Sequence, residues 1–345
     1  MLKIIILFFS CCFLYCTSTF AQTIGGSAAY SFLKQPATAS LASIGGINTS
    51  QISNDVGLAY NNPSLLRSNM HQQVNVNFNR FFAGIYQYSL ATAFHHQKSN
   101  LTHAFGIHFF NYGSIQATDA VGNVYGNFTP SDYAIQYSIA KQYKEKWHLG
   151  FTAKWINSNY FIYKSQALAA DIGVAFYDSS QQLQCSFLVK NIGTQLNKYA
   201  INASQEELPF DVQIGISKKL ANAPIQFSLT AHQLQQLNIN YQDTIFNNDN
   251  LIENKRFSFA DKLFSHLVAA VQVYLKEKIE LNIGYNFLQR KELSNINISN
   301  GLSGFSGGIN IRLKKIHIQY ATGFYQQNNF NQVGLVFNWN GNPIN

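Results

Sequence analysis

Ile279-Glu280-Leu281-Asn282-Ile283-Gly284-Tyr285-Asn286-Phe287 sets large apolar residues at every odd position and polar or small ones at every even position. A period of two belongs to an extended strand, whose successive side chains point to opposite faces. The same alternation recurs along the chain. Val74, Val76 and Phe78 alternate with Asn75, Asn77 and Asn79; Trp147, Leu149, Phe151 and Ala153 with His148, Gly150, Thr152 and Lys154. Phe210, Val212, Ile214 and Ile216 alternate with Asp211, Gln213, Gly215 and Ser217, and Val333, Leu335, Phe337 and Trp339 carry the apolar phase near the end. Beyond residue 72, helical spacing is suggested only by Phe257 to Phe264.

Turn-like clusters divide this region into about fourteen candidate strands of about ten residues: 72–80, 83–94, 101–112, 132–141, 146–157, 166–177, 183–192, 209–219, 224–235, 266–276, 279–289, 304–313, 315–325 and 330–340. An even number of such strands, each of the ~9–11 residues needed to cross a bilayer at a tilt, predicts an all-β, transmembrane antiparallel β-barrel. The connections alternate in length, with short ones after every second strand and long ones at 113–131, 193–208, 236–265 and 290–303. Short turns are expected on the periplasmic side, so both termini are expected there. The short connections at 81–82 and 326–329 depart from the alternation. Aromatic residues near strand ends, among them Phe81, Phe82, Tyr160, Tyr163, Tyr274, Tyr325 and Trp339, are read as interfacial girdles.

Composition supports a lipid-facing surface. Of 345 residues, 46% are hydrophobic but only 12% are Asp, Glu, Lys or Arg. That is half the usual charged share, so the exterior is not that of a water-soluble domain. Asn and Gln together outnumber the four charged types. The formal net charge of +8 comes with no basic stripe interleaved with aromatics, which argues against nucleic acid and for an anionic membrane surface or lipopolysaccharide. Residues 1–21 have the layout of a secretory signal peptide, with Lys3, an apolar run to Tyr15, and Thr19-Phe20-Ala21 before the expected cleavage. Cleavage leaves Cys185 alone, and an internal disulfide needs two cysteines.

Residues 22–71 lack the alternation and are rich in Ala, Ser, Gly and Asn. Ala37-Thr38-Ala39-Ser40-Leu41-Ala42-Ser43-Ile44-Gly45-Gly46, followed by Asn54-Asp55-Val56-Gly57-Leu58-Ala59-Tyr60-Asn61-Asn62-Pro63-Ser64-Leu65, resembles the N-terminal segment of FadL-like outer-membrane barrels, including the PorV-type barrels of Bacteroidetes. Gly25 to Leu33, Asn111-Tyr112-Gly113-Ser114, Asn191 to Leu196, Leu208-Pro209-Phe210, Ala231 to Leu234 and Gly301 to Gly308 extend the resemblance over nearly the whole mature chain. They point to the PorQ-type barrels of the type IX secretion system. The resemblance implies a periplasmic plug or hatch over 22–71, with Gly45, Gly46, Asn62 and Pro63 as its motif, and a barrel over 72–345. It also implies a non-enzymatic scaffold for a surface protein of the PorZ type, within an attachment complex that joins cargo to lipopolysaccharide. Partner contact is expected at Phe246, Lys255, Arg256, Phe257 and Phe259. The alternative it leaves open is a FadL-like channel for hydrophobic solutes. An aromatic final residue is common in such barrels, whereas this chain runs from Trp339 to Asn345.

Three patterns imitate catalytic or metal sites. Gly304-Phe305-Ser306-Gly307-Gly308 fits a nucleophile elbow, but a strand pattern follows where a helix is required. Ser31-Phe32-Leu33-Lys34 fits S-x-x-K without its partner motifs. His95, His96, His103 and His108 lack a neighbouring Cys or carboxylate cluster. No cofactor motif is present, and no enzymatic activity is expected.

Overall fold

A computed structural model describes residues 28–119, 121–200, 204–240, 257–276, 278–293, 301–325 and 328–340. The expected signal peptide lies outside them. Fourteen strands close into an antiparallel barrel: β1 Gln73–Arg80, β2 Tyr86–His96, β3 Leu101–Asn111, β6 Ser131–Tyr143, β7 Trp147–Tyr160, β8 Tyr163–Asp178, β9 Leu183–Asn197, β10 Asp211–Lys219, β11 Ile225–Ala231, β12 Leu267–Leu275, β13 Ile279–Asn286, β14 Phe305–Arg312, β15 Ile316–Tyr325 and β16 Asn328–Asn338. β16 closes on β1, with register from Gln73 opposite Asn338 to Arg80 opposite Asn331. Closure leaves no strand edge unpaired, the condition for a sheet to stand in lipid.

The barrel is inverted relative to a soluble protein. Phe78, Leu90, Phe105, Ile107, Leu149, Phe151, Ile214, Leu229, Ile283 and Leu335 are all exposed on its outer face. Their strand neighbours Asn75, Asn77, Ser138, Thr152, Gln213, Ser217, Gln272, Asn282 and Gln332 are buried inside it. Apolar outside and polar inside is the pattern of a barrel solvated by hydrocarbon, so this is an outer-membrane-type β-barrel.

One end, the turn end, carries the short connections 97–100, 144–146, 179–182, 220–224, 276–278 and 313–315. The opposite loop end carries 112–130, 198–210, 232–266 and 287–304. Three local expectations are corrected. The loop anticipated at 158–165 is a two-residue turn at 161–162, because Asn157, Ser158 and Asn159 continue the ladder against Gln166, Ser165 and Lys164. The loop at 112–130 contains its own hairpin, β4 Ile115–Thr118 with β5 Val124–Phe128. β13 stops at Asn286, whose side chain caps a helix over Phe287–Glu292. The helical spacing near Phe257 is realised as a helix over Phe259–Ser265 with a capping box between Ser258 and Asp261.

The aromatic girdle is also redistributed. Tyr160 and Tyr274 are in the inward phase of β7 and β12: Tyr160 donates to Asp132 at 2.7 Å, and Tyr274 to Gln226 at 3.1 Å. Phe81 packs against Phe110 and Phe330, and Tyr325 packs against Phe330. At the turn end, ring pairs form between Trp147 and Phe176 and between Phe94 and Trp339. Towards the loop end, Tyr133 meets Trp155, and Tyr285 meets Phe305.

Charge is divided unequally between the ends. Among the described residues, the turn end holds Lys98, Lys141, Lys144, Lys146, Lys218, Lys219, Lys276, Lys278, Arg312, Lys314 and Lys315 against Glu145, Asp178 and Glu280. The loop end balances Arg80, Lys164, Lys198, Lys262, Arg290 and Lys291 against Asp119, Glu206, Glu207, Asp211, Asp261 and Glu292. Among the described residues, the excess positive charge is therefore concentrated at the turn end.

Candidate functional site: a seated luminal segment and the cavity beside it

Residues 28–70 run through the lumen. Ala28 and Ala29 lie at the loop end, where the Ala29 amide donates to the Glu207 carbonyl at 2.9 Å. Met70, at the other end of the segment, leads into β1 at the turn end. The segment contains one short α-helix, Ala39–Ser43, and several 3-10 turns. Such short elements cannot satisfy their own backbone, so the polar inner wall does it for them. The Ala39 amide donates to Asn77 Oδ1 at 2.9 Å, and Val56 to Gln73 Oε1 at 3.1 Å. Ser89 Oγ donates to the Ala37 carbonyl at 2.5 Å, and Ser186 Oγ to that of Thr49 at 2.6 Å. Tyr60 OH donates towards the Leu90 and Ile107 carbonyls at 2.6 and 2.8 Å. Arg67 Nη1 donates to the Ser64 and Leu66 carbonyls at 2.6 and 3.0 Å, and Nη2 to Gln184 Oε1 at 3.2 Å.

The segment approaches the wall most closely at inward-facing glycines. A Cβ at Gly284 would lie 2.1 Å from the Gly45 nitrogen, one at Gly150 2.2 Å from the Ser64 nitrogen and 2.3 Å from Pro63 C, and one at Gly173 2.0 Å from Asn62 Oδ1. Gly45 and Gly46 adopt φ of +92° and +79°, a conformation glycine supplies without steric cost. The Gly45 amide donates to Ser306 Oγ at 2.9 Å. Asn62 caps the 3-10 turn Pro63–Leu65 through Oδ1, accepting from Ser64 N at 3.0 Å, while its Nδ2 donates to the Thr49 carbonyl at 3.0 Å. Gly45 is thus seated against β13 and β14, and Asn62 and Pro63 against β7 and β8, while Gly46 faces Pro36 within the segment. The inward-phase glycines 150, 173 and 284 make room for these contacts. They were visible in the sequence only as small members of the polar phase.

A bulge adds charge to the lumen. The β8–β9 register shifts between Ala170 and Ile192 on one side and Ile172 and Val189 on the other, so Asp171 faces the extra residues Lys190 and Asn191, the latter at φ +57°. Lys154 Nζ meets Asp171 Oδ2 at 2.7 Å with both side chains buried, and donates to Asn191 Oδ1 at 2.8 Å. Lys190 Nζ donates to the Tyr60 carbonyl at 2.9 Å, linking the bulge to the segment.

On the loop side of the segment lies a cavity of about 1230 Å³. Pro36, Leu41 and Gly46 of the segment, Ala134 and Phe330 of the wall and Leu288 of the loops give it apolar surface. Lys34, Lys190, Asp211, His232, Lys262 and Glu292 give it polar groups. His232 is buried, with neither ring nitrogen hydrogen-bonded. Burial, then the neighbouring His266 and Lys34 charges, lower its pKa to about 3 and hold the ring neutral. Burial raises the pKa of Glu292, and Lys34 opposes that shift. The arrangement can bind a molecule with an apolar body and a polar head; among its described residues no hydroxyl or thiol is hydrogen-bonded to a histidine or carboxylate base. Ser306 is spent on the Gly45 amide within β14, and Ser31 stands on a 3-10 turn with its hydroxyl donating to the Ala28 carbonyl at 3.2 Å. His108 packs against Phe32 and Phe110 inside the lumen, whereas His103 pairs with Tyr137 on the exposed face.

Of the residues read as partner contacts, Phe246, Lys255 and Arg256 lie outside the described residues. Phe257 lies under Lys291 Nζ, 5.8 Å from its ring centroid, and Phe259 is 80% exposed at the start of its helix.

No family model and no curated protein matches the sequence. Solved structures do match the fold. A mutant of the TodX monoaromatic hydrocarbon channel lacking S2 and S3 gives a TM-score of 0.51 at 10% identity, covering 88% of this chain and 99% of that one. The TodX mutant lacking S2 gives 0.50 at 10% identity, covering 88% and 98%. The CymD monoaromatic hydrocarbon channel gives 0.47 at 12% identity, covering 92% and 97%. By its fold, the chain is similar to the β-barrel of the TodX channel.

Proposed function

We propose that the protein is an outer-membrane barrel of the FadL type that takes a small solute with an apolar body and a polar head into its loop-side cavity. The cavity carries this reading: its 1230 Å³ is enough for a drug-sized ligand, and Lys34 and the unpartnered His232 ring stand among apolar side chains. The fold shared with hydrocarbon channels supports it. The test is mass spectrometry of small molecules released when the purified barrel is denatured, together with uptake of a monoaromatic probe by proteoliposomes. A released solute and uptake above protein-free liposomes are expected; neither would be seen if the reading is wrong.

A second reading is favoured by the way the luminal segment is seated. Backbone packed against Gly150 of β7 and Gly284 of β13 suits a fixed closure, and so a scaffold, better than a gated conduit. With the sequence resemblance, this supports a PorQ-type role in type IX secretion. The barrel would hold a surface protein of the PorZ type at its loop end, among the attachment-complex components that join cargo to lipopolysaccharide. Copurification from detergent extracts separates the two: a stable partner without solute uptake selects the scaffold, and uptake without a partner selects the channel.

A further inference from the structure

The outer wall carries a second concavity, of about 450 Å³, over β10 to β13. Phe227 and Leu229 form one side, Ile283 and Tyr285 the other, and the smaller Ala269 and Val271 of β12 form its floor. Two features of it bear on what it can hold. Its floor is sunken because β12 presents small residues between two strands of large ones. Its lining includes a cation, Lys218, whose row in the sheet runs through Phe227, Val271 and Ile283. The Lys218 stem lies along the apolar wall, and its ammonium reaches the turn end, where it donates to the Gln181 carbonyl. An ammonium has three donors, and this bond uses one. Lys276 and Lys278 flank β12 and β13 at the same end.

We propose that this groove is a binding site for one anionic phospholipid, with an acyl chain over Ala269 and Val271 and the phosphate at Lys218. Charge selects this occupant. The groove opens towards the end of the barrel where the basic residues are concentrated, and a diacyl anionic phospholipid matches an apolar trough with a cation at its headgroup end. Lysine at the membrane interface attracts anionic headgroups, whereas a groove without it would hold any acyl chain equally.

The test is native mass spectrometry of the detergent-purified full barrel after delipidation, titrated with palmitoyl-oleoyl phosphatidylglycerol and, separately, the phosphatidylcholine of the same chains. The wild type is expected to keep one phosphatidylglycerol preferentially. Ala269→Trp, and independently Val271→Phe, fill the trough from the lipid side and are expected to cut that adduct at least fivefold. Lys218→Gln is expected to abolish the headgroup preference while leaving phosphatidylcholine binding unchanged. Heat-dependent migration in electrophoresis establishes that each variant is folded. The proposal is overturned if the filled variants retain the adduct at the wild-type level, if the wild type shows no preference for phosphatidylglycerol, or if the barrel as first purified carries lipid A in place of phospholipid.

Discussion

A side chain larger than hydrogen at position 284 would have to occupy space already held by the Ile44–Gly45 peptide. Gly284→Val would place its Cβ 2.1 Å from the Gly45 nitrogen and 2.2 Å from the Ile44 carbonyl carbon. Overpacking against movable side chains costs about 1–3 kcal/mol, and here backbone must give way, so the upper end of that range is expected. β13 keeps its ladder on both sides, so the change should lift the luminal segment while the barrel survives. Gly307 is the control: it lies in the lipid-facing phase of β14, and a Cβ there would meet only the Asn282 carbonyl oxygen at 3.5 Å. Single-channel recording in planar bilayers should show conductance several-fold above wild type for Gly284→Val and wild-type behaviour for Gly307→Val. Equal conductance in the two variants would mean that the segment is not held at this contact. Ser306 illustrates the same scale from another side. It fits a hydrolase pattern in the sequence, and in the fold its hydroxyl accepts the Gly45 amide, so the motif records a seat for backbone rather than a nucleophile.

The strands were the most legible elements, because a residue's phase in a two-residue repeat fixes its face once one face is lipid. The alternation placed all fourteen barrel strands, and it went wrong where polar residues occupied both phases. Ser158 and Asn159 read as loop for that reason and are strand, while the β4–β5 hairpin went unread inside the long connection 113–131. The cavity was not legible, since its polar groups come from positions as distant as Lys34, His232 and Glu292, which only closure of the barrel brings together. The loop helix Phe259–Ser265 carries a pH-dependent prediction of its own. Hydrogen bonds from Ser258 to Asp261, then the Lys291 charge 3.6 Å away, lower the Asp261 pKa below the ordinary carboxylate value. A depressed carboxylate contributes stability that is present above its unfolded value and lost as pH falls through the folded one. Glu292, raised by burial, works in the opposite sense: its contribution is present below its unfolded value and declines as pH rises through the folded one. Amide exchange over residues 258–266 should therefore be several-fold faster in Asp261→Ala than in wild type at pH 7, with the difference shrinking under acid conditions. A constant ratio across that range would show that the cap does not act through the carboxylate charge.

For the whole molecule, the informative quantity is where the charge lies. A low charged fraction first says that the exterior is not water-facing, and the closed barrel locates the deficit on the outward phase of every strand, among residues such as Phe105, Ile214 and Leu335. The remaining charge is polarised, with eleven described basic residues against three acidic ones at the turn end and equal numbers at the loop end. Such a distribution has little bearing on the fold, since isolated exposed charges change stability by less than about 0.5 kcal/mol each. It does bear on how the chain meets a membrane, because each Lys or Arg near an anionic surface gains about 1 kcal/mol, an attraction that salt screens over roughly 10 Å at 0.1 M. Unfolded protein diluted from urea should adsorb and fold faster on vesicles containing phosphatidylglycerol than on phosphatidylcholine alone, and 1 M salt should remove that advantage. Replacing Lys98, Lys144, Lys276 and Lys314 with Gln should remove most of it at low salt while leaving the final barrel and its heat-modified migration unchanged. A quadruple variant that folded on anionic vesicles at the wild-type rate would show that the polarised charge serves something other than membrane approach, and would also weaken the assignment of phospholipid to the groove beside Lys218.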